Sequence, residues 1–234
     1  MPEKHSSFKQ KRGDELIRFA TVLQNSSIPC DVQSLTDAGG KCRAFEPDGK
    51  GSWGYDIDGL LLKNPDEVSH ARPVGASLTD IQINVRLVGQ CEVRDGYDPI
   101  QKLGVEIILI GLVEDEEEEL VRLRSSWYMD RYDATRDRIE GEQRSRRKCP
   151  VHPHYHFQFG GKNAKSVNPG KLIIASPPRI AHPPMDAILA TDFVISNYFS
   201  SKWLELRESS DQYLPLIKQA QKRYWRSYAD ALTK

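Results

Sequence analysis

The sequence predicts an α+β fold, an antiparallel meander of about five strands between residues 78 and 175 with one helix before it and helices after it. Three features point there. Residues 81–87 alternate strictly between aliphatic and polar side chains, which is the period of a half-buried strand. Residues 105–113 are apolar on nearly every position over a strand's length, as in a strand covered on both sides. From residue 185 onward the apolar spacing changes to three and four, the period of a helix face.

In chain order, Leu16, Phe19, Ala20 and Leu23 fall on one face of a helix over residues 14–23. The turn-forming Asn25-Ser26-Ser27-Ile28-Pro29 ends it. Residues 37–73 carry many Gly, Pro and Asp between short apolar pieces and read as loops with short elements. The strands at 81–87 and 105–113 follow, the second ending at an acidic run, 114–119. A third strand spans about 120–132, a fourth 154–159, and Lys171-Leu172-Ile173-Ile174-Ala175 makes a fifth. Between the third and fourth lies a polar, basic stretch, 136–148, read as a long exposed hairpin loop.

Pro183-Pro184 marks a helix start, where a missing N–H costs nothing. Met185, Ile188, Leu189, Asp192, Ile195 and Phe199 share the face that follows. A last helix, from about 214 to 232, carries an aromatic stripe with Tyr224, Trp225 and Tyr228. Its opposite side bears Lys218, Lys222, Arg223 and Arg226. The chain divides into an N-terminal helix and loop-rich segment, 1–75, and a sheet with C-terminal helices, 76–234, within one compact domain overall.

Composition limits the function classes. The 234 residues can bury a sizeable core, and 33 Lys+Arg balance 33 Asp+Glu. A chain of zero formal charge has no global attraction to nucleic acid or an anionic membrane, so nucleic acid is not expected as a primary ligand. The cysteines, Cys30, Cys42, Cys91 and Cys149, stand far apart without metal-ribbon spacing, which suits a reduced compartment. No apolar run reaches the roughly 18 residues of a membrane span. A soluble, cytoplasmic protein is expected.

The segment richest in chemistry is His152-Pro153-His154-Tyr155-His156-Phe157-Gln158-Phe159-Gly160-Gly161. If 154–159 is extended, period two puts His154, His156 and Gln158 on one face and Tyr155, Phe157 and Phe159 on the other. The aromatic set is the natural core side, which turns the imidazoles outward or into a cleft. Two histidines at i and i+2 lie about 6 to 7 Å apart at the backbone, close enough to share one divalent metal such as zinc. Asp130, Asp133, His182, Asp186 or His152 would have to complete such a site. Two other roles stand beside this one. The rings can bond carboxylates such as Asp130 across the sheet, or a His–carboxylate pair can act as a metal-free general acid–base. Candidate catalytic residues are therefore His154, His156, Asp130 and His182; candidate metal ligands are His154, His156 and Asp130.

Four prolines within residues 176–186 stiffen the path of Arg179, His182 and Asp186, either as a functional loop or as a connector whose Asp186 serves the helix N-terminus. Asp192, on an otherwise apolar helix face, is a candidate buried carboxylate. Gly160-Gly161-Lys162-Asn163 lacks the spacing of a phosphate loop.

Trp127 to Asp130, His152 to Gly161 and Arg179 to Asp186 follow in an order that resembles a group of uncharacterised bacterial proteins. These carry an H-P-x-x-H-x-H-x-G-like strand, an R-I-x-x-P-P-x-D-like loop and a helix. Here Gln158 stands between His156 and Gly160, and two glycines follow. Some proteins of this kind occur as accessory components of multi-gene systems, including defence loci built on ATPases or ubiquitin-like conjugation. The resemblance covers about a third of the chain and implies a partner-dependent role, with a protein partner from the same gene cluster. It assigns no catalytic residues.

Overall fold

A computed structural model describes residues 2–45, 51–66, 75–91, 98–114, 120–131, 155–159 and 180–232. In chain order the elements are α1 (Pro2–Gln24), α2 (Gln33–Ala44), β1 (Ser52–Lys63), β2 (Ser77–Gln90), β3 (Ile100–Glu114), β4 (Leu120–Arg131), β5 (Tyr155–Phe159), β6 (Ile180–Ala181), α3 (Ala187–Tyr198), α4 (Ser200–Ser209) and α5 (Tyr213–Leu232). The six strands lie side by side in sequence order, every pair antiparallel. This is the α+β meander that the alternation predicts. The fifth sequence-predicted strand, 171–175, falls outside the described residues.

Alternation decides which side of the sheet is apolar. In β2, Ile81, Ile83, Val85 and Leu87 are at most 2% exposed. Register carries the same face to Ile57 and Leu60 of β1, Val105 and Ile107 of β3, Met129 of β4 and Phe157 of β5. Helices α1, α3 and α5 bring Leu16, Phe19, Leu23, Ile188, Val194, Ile195, Ile217 and Tyr224 to one hydrophobic cluster with this face. Phe19 of α1 stacks on Tyr213 of α5 at 6.0 Å. The opposite face of β3 is covered too, with Ile108 1% exposed, as its nearly continuous apolar run implies.

Residues 37–73 depart from the loop-rich expectation, because they contain most of α2 and all of β1. Two of the glycines read there as breakers are close-approach residues instead. A Cβ on Gly39 would stand 2.6 Å from Ile17 Cγ1 and 2.8 Å from the Gly13 carbonyl oxygen, so α1 and α2 cross where both chains lack side chains. A Cβ on Gly54 would meet the Leu87 carbonyl oxygen at 2.6 Å. Gly59 does break regularity: its φ of +78° accompanies the register shift between Ile57 and Leu60, a bulge that a side chain would strain. Since β1 pairs with β2, the segments 1–75 and 76–234 share one sheet and one core.

At the other end of the chain, α3 begins after the proline pair with Asp186 as its cap, the carboxylate accepting from the Leu189 N–H at 3.0 Å. No helix among the described residues is long and apolar enough to cross a membrane.

Candidate functional site

Register places Asp130 of β4 directly opposite His156 of β5. Asp130 Oδ1 stands 3.0 Å from His156 Nε2. Tyr155 and Phe157 face the helices, where Phe157 stacks on Trp127 at 5.1 Å and meets Phe193 of α3 edge-on at 5.6 Å. His156 lies on the other face, as period two requires. It is not open to solvent, being 3% exposed, and Ser126, further along β4 on the same face and opposite Ile108 of β3, is equally covered. His154 and His152 lie outside the described residues, as do Asp133, Cys149 and Arg179.

Around the Asp130–His156 pair this second face carries a polar ladder. Asn84 of β2 donates to Glu106 of β3 at 3.1 Å, and Gln82 and the Gly59 N–H donate to Asn84 Oδ1. Glu106 lies opposite Tyr128, whose hydroxyl is held above its ordinary pKa first by burial and then by Asp130 and Glu106. Gly104 leaves room for that hydroxyl, which a Cβ there would meet at 3.2 Å. In a covered setting such pairs hold register, because removing one partner leaves the other desolvated at a cost of about 1–3 kcal/mol.

His182 does not join this group. Its ring sits 6.0 Å from Phe157 and 6.5 Å from Phe193, on the helix side of the sheet, while His156 and Asp130 occupy the other side. The single step from Ala181, opposite His156, to His182, opposite Tyr155, makes the difference. Asp186 caps α3, and Asp192 accepts from the Tyr213 hydroxyl at 2.6 Å and from Trp203 Nε1 at 2.9 Å. Among the described residues no three His, Cys, Asp or Glu side chains gather as a metal ion would need.

A second polar centre, not singled out from the sequence, lies where α1, α3 and α5 meet. Glu15, 2% exposed, is contacted by Arg223 of α5 and lies 2.8 Å from Arg12 Nη1. Arg223 also reaches Asp186 at 3.5 Å and the Tyr224 hydroxyl at 3.3 Å. The Tyr55 hydroxyl of β1 accepts from the Ala187 N–H at 3.1 Å. A signal was present: Arg12 and Glu15 fall at helical spacing with Leu16 and Phe19, so charges sit on an apolar face. Arg223 was read as part of the wet side of the last helix; its side chain is only 12% exposed, because the Tyr224 stripe is wide enough to draw its neighbour inward.

Burial, and after it the Asp186 carboxylate, push the Glu15 carboxyl from 4.5 up to about 8, against the pull of Lys11 and Arg18. Burial likewise raises Asp186 from 3.8 to about 6, opposed by the N–H groups of Leu189 and Ile188 and by Tyr224. Buried thiols move the same way, Cys30 and Cys42 both to about 12, which keeps them protonated and unreactive.

No family model matches the chain, and neither does any curated protein or solved structure.

The two raised carboxyls set a direction for stability against pH. The folded chain holds protons that the unfolded chain has released, so their contribution is complete below the unfolded values and is lost as pH rises through about 6 for Asp186 and about 8 for Glu15. Thermal midpoints of the wild type should fall from about pH 5 to about pH 8 more steeply than those of Glu15→Gln. Parallel curves would show that Glu15 keeps an ordinary pKa.

Proposed function

We propose that this chain is an accessory, partner-binding subunit of a multi-protein bacterial system, with antiphage defence as the setting the sequence resemblance suggests. One observation carries the reading. At the connected end of the β3–β4 hairpin, Leu120 is 72% and Val121 39% exposed, with Val113 opposite Val121 and Leu120 opposite Glu114. Large apolar side chains left in water beside an acidic run, 114–119, suit an apolar contact rimmed by charge. Of the candidate carboxylates among the described residues, Asp130 is engaged with His156, Asp186 in a helix cap, and Asp192 with Tyr213 and Trp203.

The chain tagged in its native host should copurify with the product of a neighbouring gene. Leu120→Ser/Val121→Ser should lose that product while its thermal midpoint stays within a few degrees, the effect of a change under about 1 kcal/mol. Recovery of the free protein alone would end the proposal.

The second reading, a metal-dependent hydrolase, draws on the 3.0 Å approach of Asp130 to His156. Its ligands would be His154, His156 and Asp130, with a zinc-like ion supplying a polarised water; His182, on the far face, is not among them. Elemental analysis of untagged protein decides it. Metal bound by the wild type and lost in His154→Ala/His156→Ala supports it, and equal metal content in both removes it.

A further inference from the structure

Zero net charge hides a segregated surface. The described side chains of α1 include Lys9, Lys11, Arg12 and Arg18 against Asp14 and Glu15. Those of α5 include Lys218, Lys222, Arg223 and Arg226; the one acid in the α5 sequence, Asp230 near its end, lies outside the described side chains. The two acids of α1 whose side chains are described are already committed, Asp14 to Arg43 and Glu15 to Arg12 and Arg223; Glu3 lies outside that set.

The Glu15–Arg223 contact brings the two cationic rows together. Lys11 and Arg18 flank Glu15 at helical spacing on α1, and both act on its carboxyl. Lys222 and Arg226 flank Arg223 on α5. All four, with Lys218, are exposed. Along α5, Lys218, Lys222 and Arg226 recur every four residues, about 6 Å apart, so the row of about 12 Å spans three or four phosphates of one nucleic-acid strand at roughly 3.4 Å each.

We infer that the α1–α5 face binds the phosphodiester backbone of nucleic acid, independently of sequence. Two observations choose this ligand over an acidic protein surface. Among the described residues the exposed large apolar side chains are Leu120, Val121, Ile180 and Leu204, none of them on α1 or α5, so the described part of the face offers no apolar anchor of the kind protein partners use. Lysine, depleted at protein interfaces, supplies three of its five exposed cations. Base stacking is not offered either: Trp225 donates to the Pro184 carbonyl at 3.2 Å, and Tyr228 packs on Tyr155 at 6.1 Å. The ligand is therefore held through its backbone, and duplex suits the face better than unstacked single strands.

The test is fluorescence anisotropy with a labelled mixed-sequence DNA duplex across salt concentrations. About five phosphate contacts predict that log K falls with log salt at a slope of about −4.5. Lys218→Glu/Lys222→Glu/Arg226→Glu should bind more than tenfold more weakly, with a slope shallower by about 3. Lys63→Glu/Arg86→Glu/Lys102→Glu makes the same change in net charge at exposed sites elsewhere and should bind like the wild type. The inference is overturned by no duplex binding at about 50 mM salt, by equal losses in both triple variants, or by tighter binding to poly-glutamate than to duplex. Because neither triple variant touches the β3 and β4 apolar tip, Leu120 and Val121, nucleic-acid binding and partner capture fail separately.

Discussion

The alternation along β2 is the constraint on which the rest of the structure depends. Ile81, Ile83, Val85 and Leu87 commit one face of the sheet to burial, and a slip of one residue would reverse every side chain. Antiparallel register transmits that choice outward, strand by strand, to Phe157 in β5. Helices α1, α3 and α5 collect on the apolar face because it is where Phe19, Val194, Ile195 and Tyr224 can leave water. The other face keeps the polar ladder of Asn84, Glu106, Tyr128, Asp130 and His156.

Helix placement then creates the polar centre at Glu15. Three helices crowding one sheet face bury whatever ionisable groups lie on their inner sides, and such a group needs hydrogen-bonding partners, whether it keeps its charge or takes up a proton as Glu15 does below about pH 8. Arg223 provides them, reaching Glu15 on α1 and the capping carboxylate Asp186 at the start of α3. The same contact joins α1 to α5, and both helices carry exposed cations. Core chemistry and surface electrostatics therefore share one cause.

Much of the fold was legible. Strong periodicity located β2, β3, β4, α5 and the aromatic side of β5, because period two and period 3.6 report burial directly. The segments α2 and β1 were not legible, since Gly39 and Gly54 are also what a loop contains; only the positions of Ile17 and Leu87 show why glycine is needed. At the candidate site, the pairing of Asp130 with His156 follows from strand order, whereas the covering of His156 depends on neighbours distant in sequence. His182 illustrates the same limit: its place beside a sheet end was readable, but which face it takes depends on a two-residue strand, Ile180–Ala181. Arg223 was misplaced because helical phase near the border of a stripe is decided by the partner helix.

The most direct measurement of the central claim is chemical denaturation of two β2 variants. Ile83→Ala removes a fully buried side chain under the helices and should cost about 2–5 kcal/mol. Arg86→Ala, on the opposite face with its side chain 73% exposed, should change stability by no more than about 0.5 kcal/mol. Comparable losses at the two positions would contradict a sheet with one committed face.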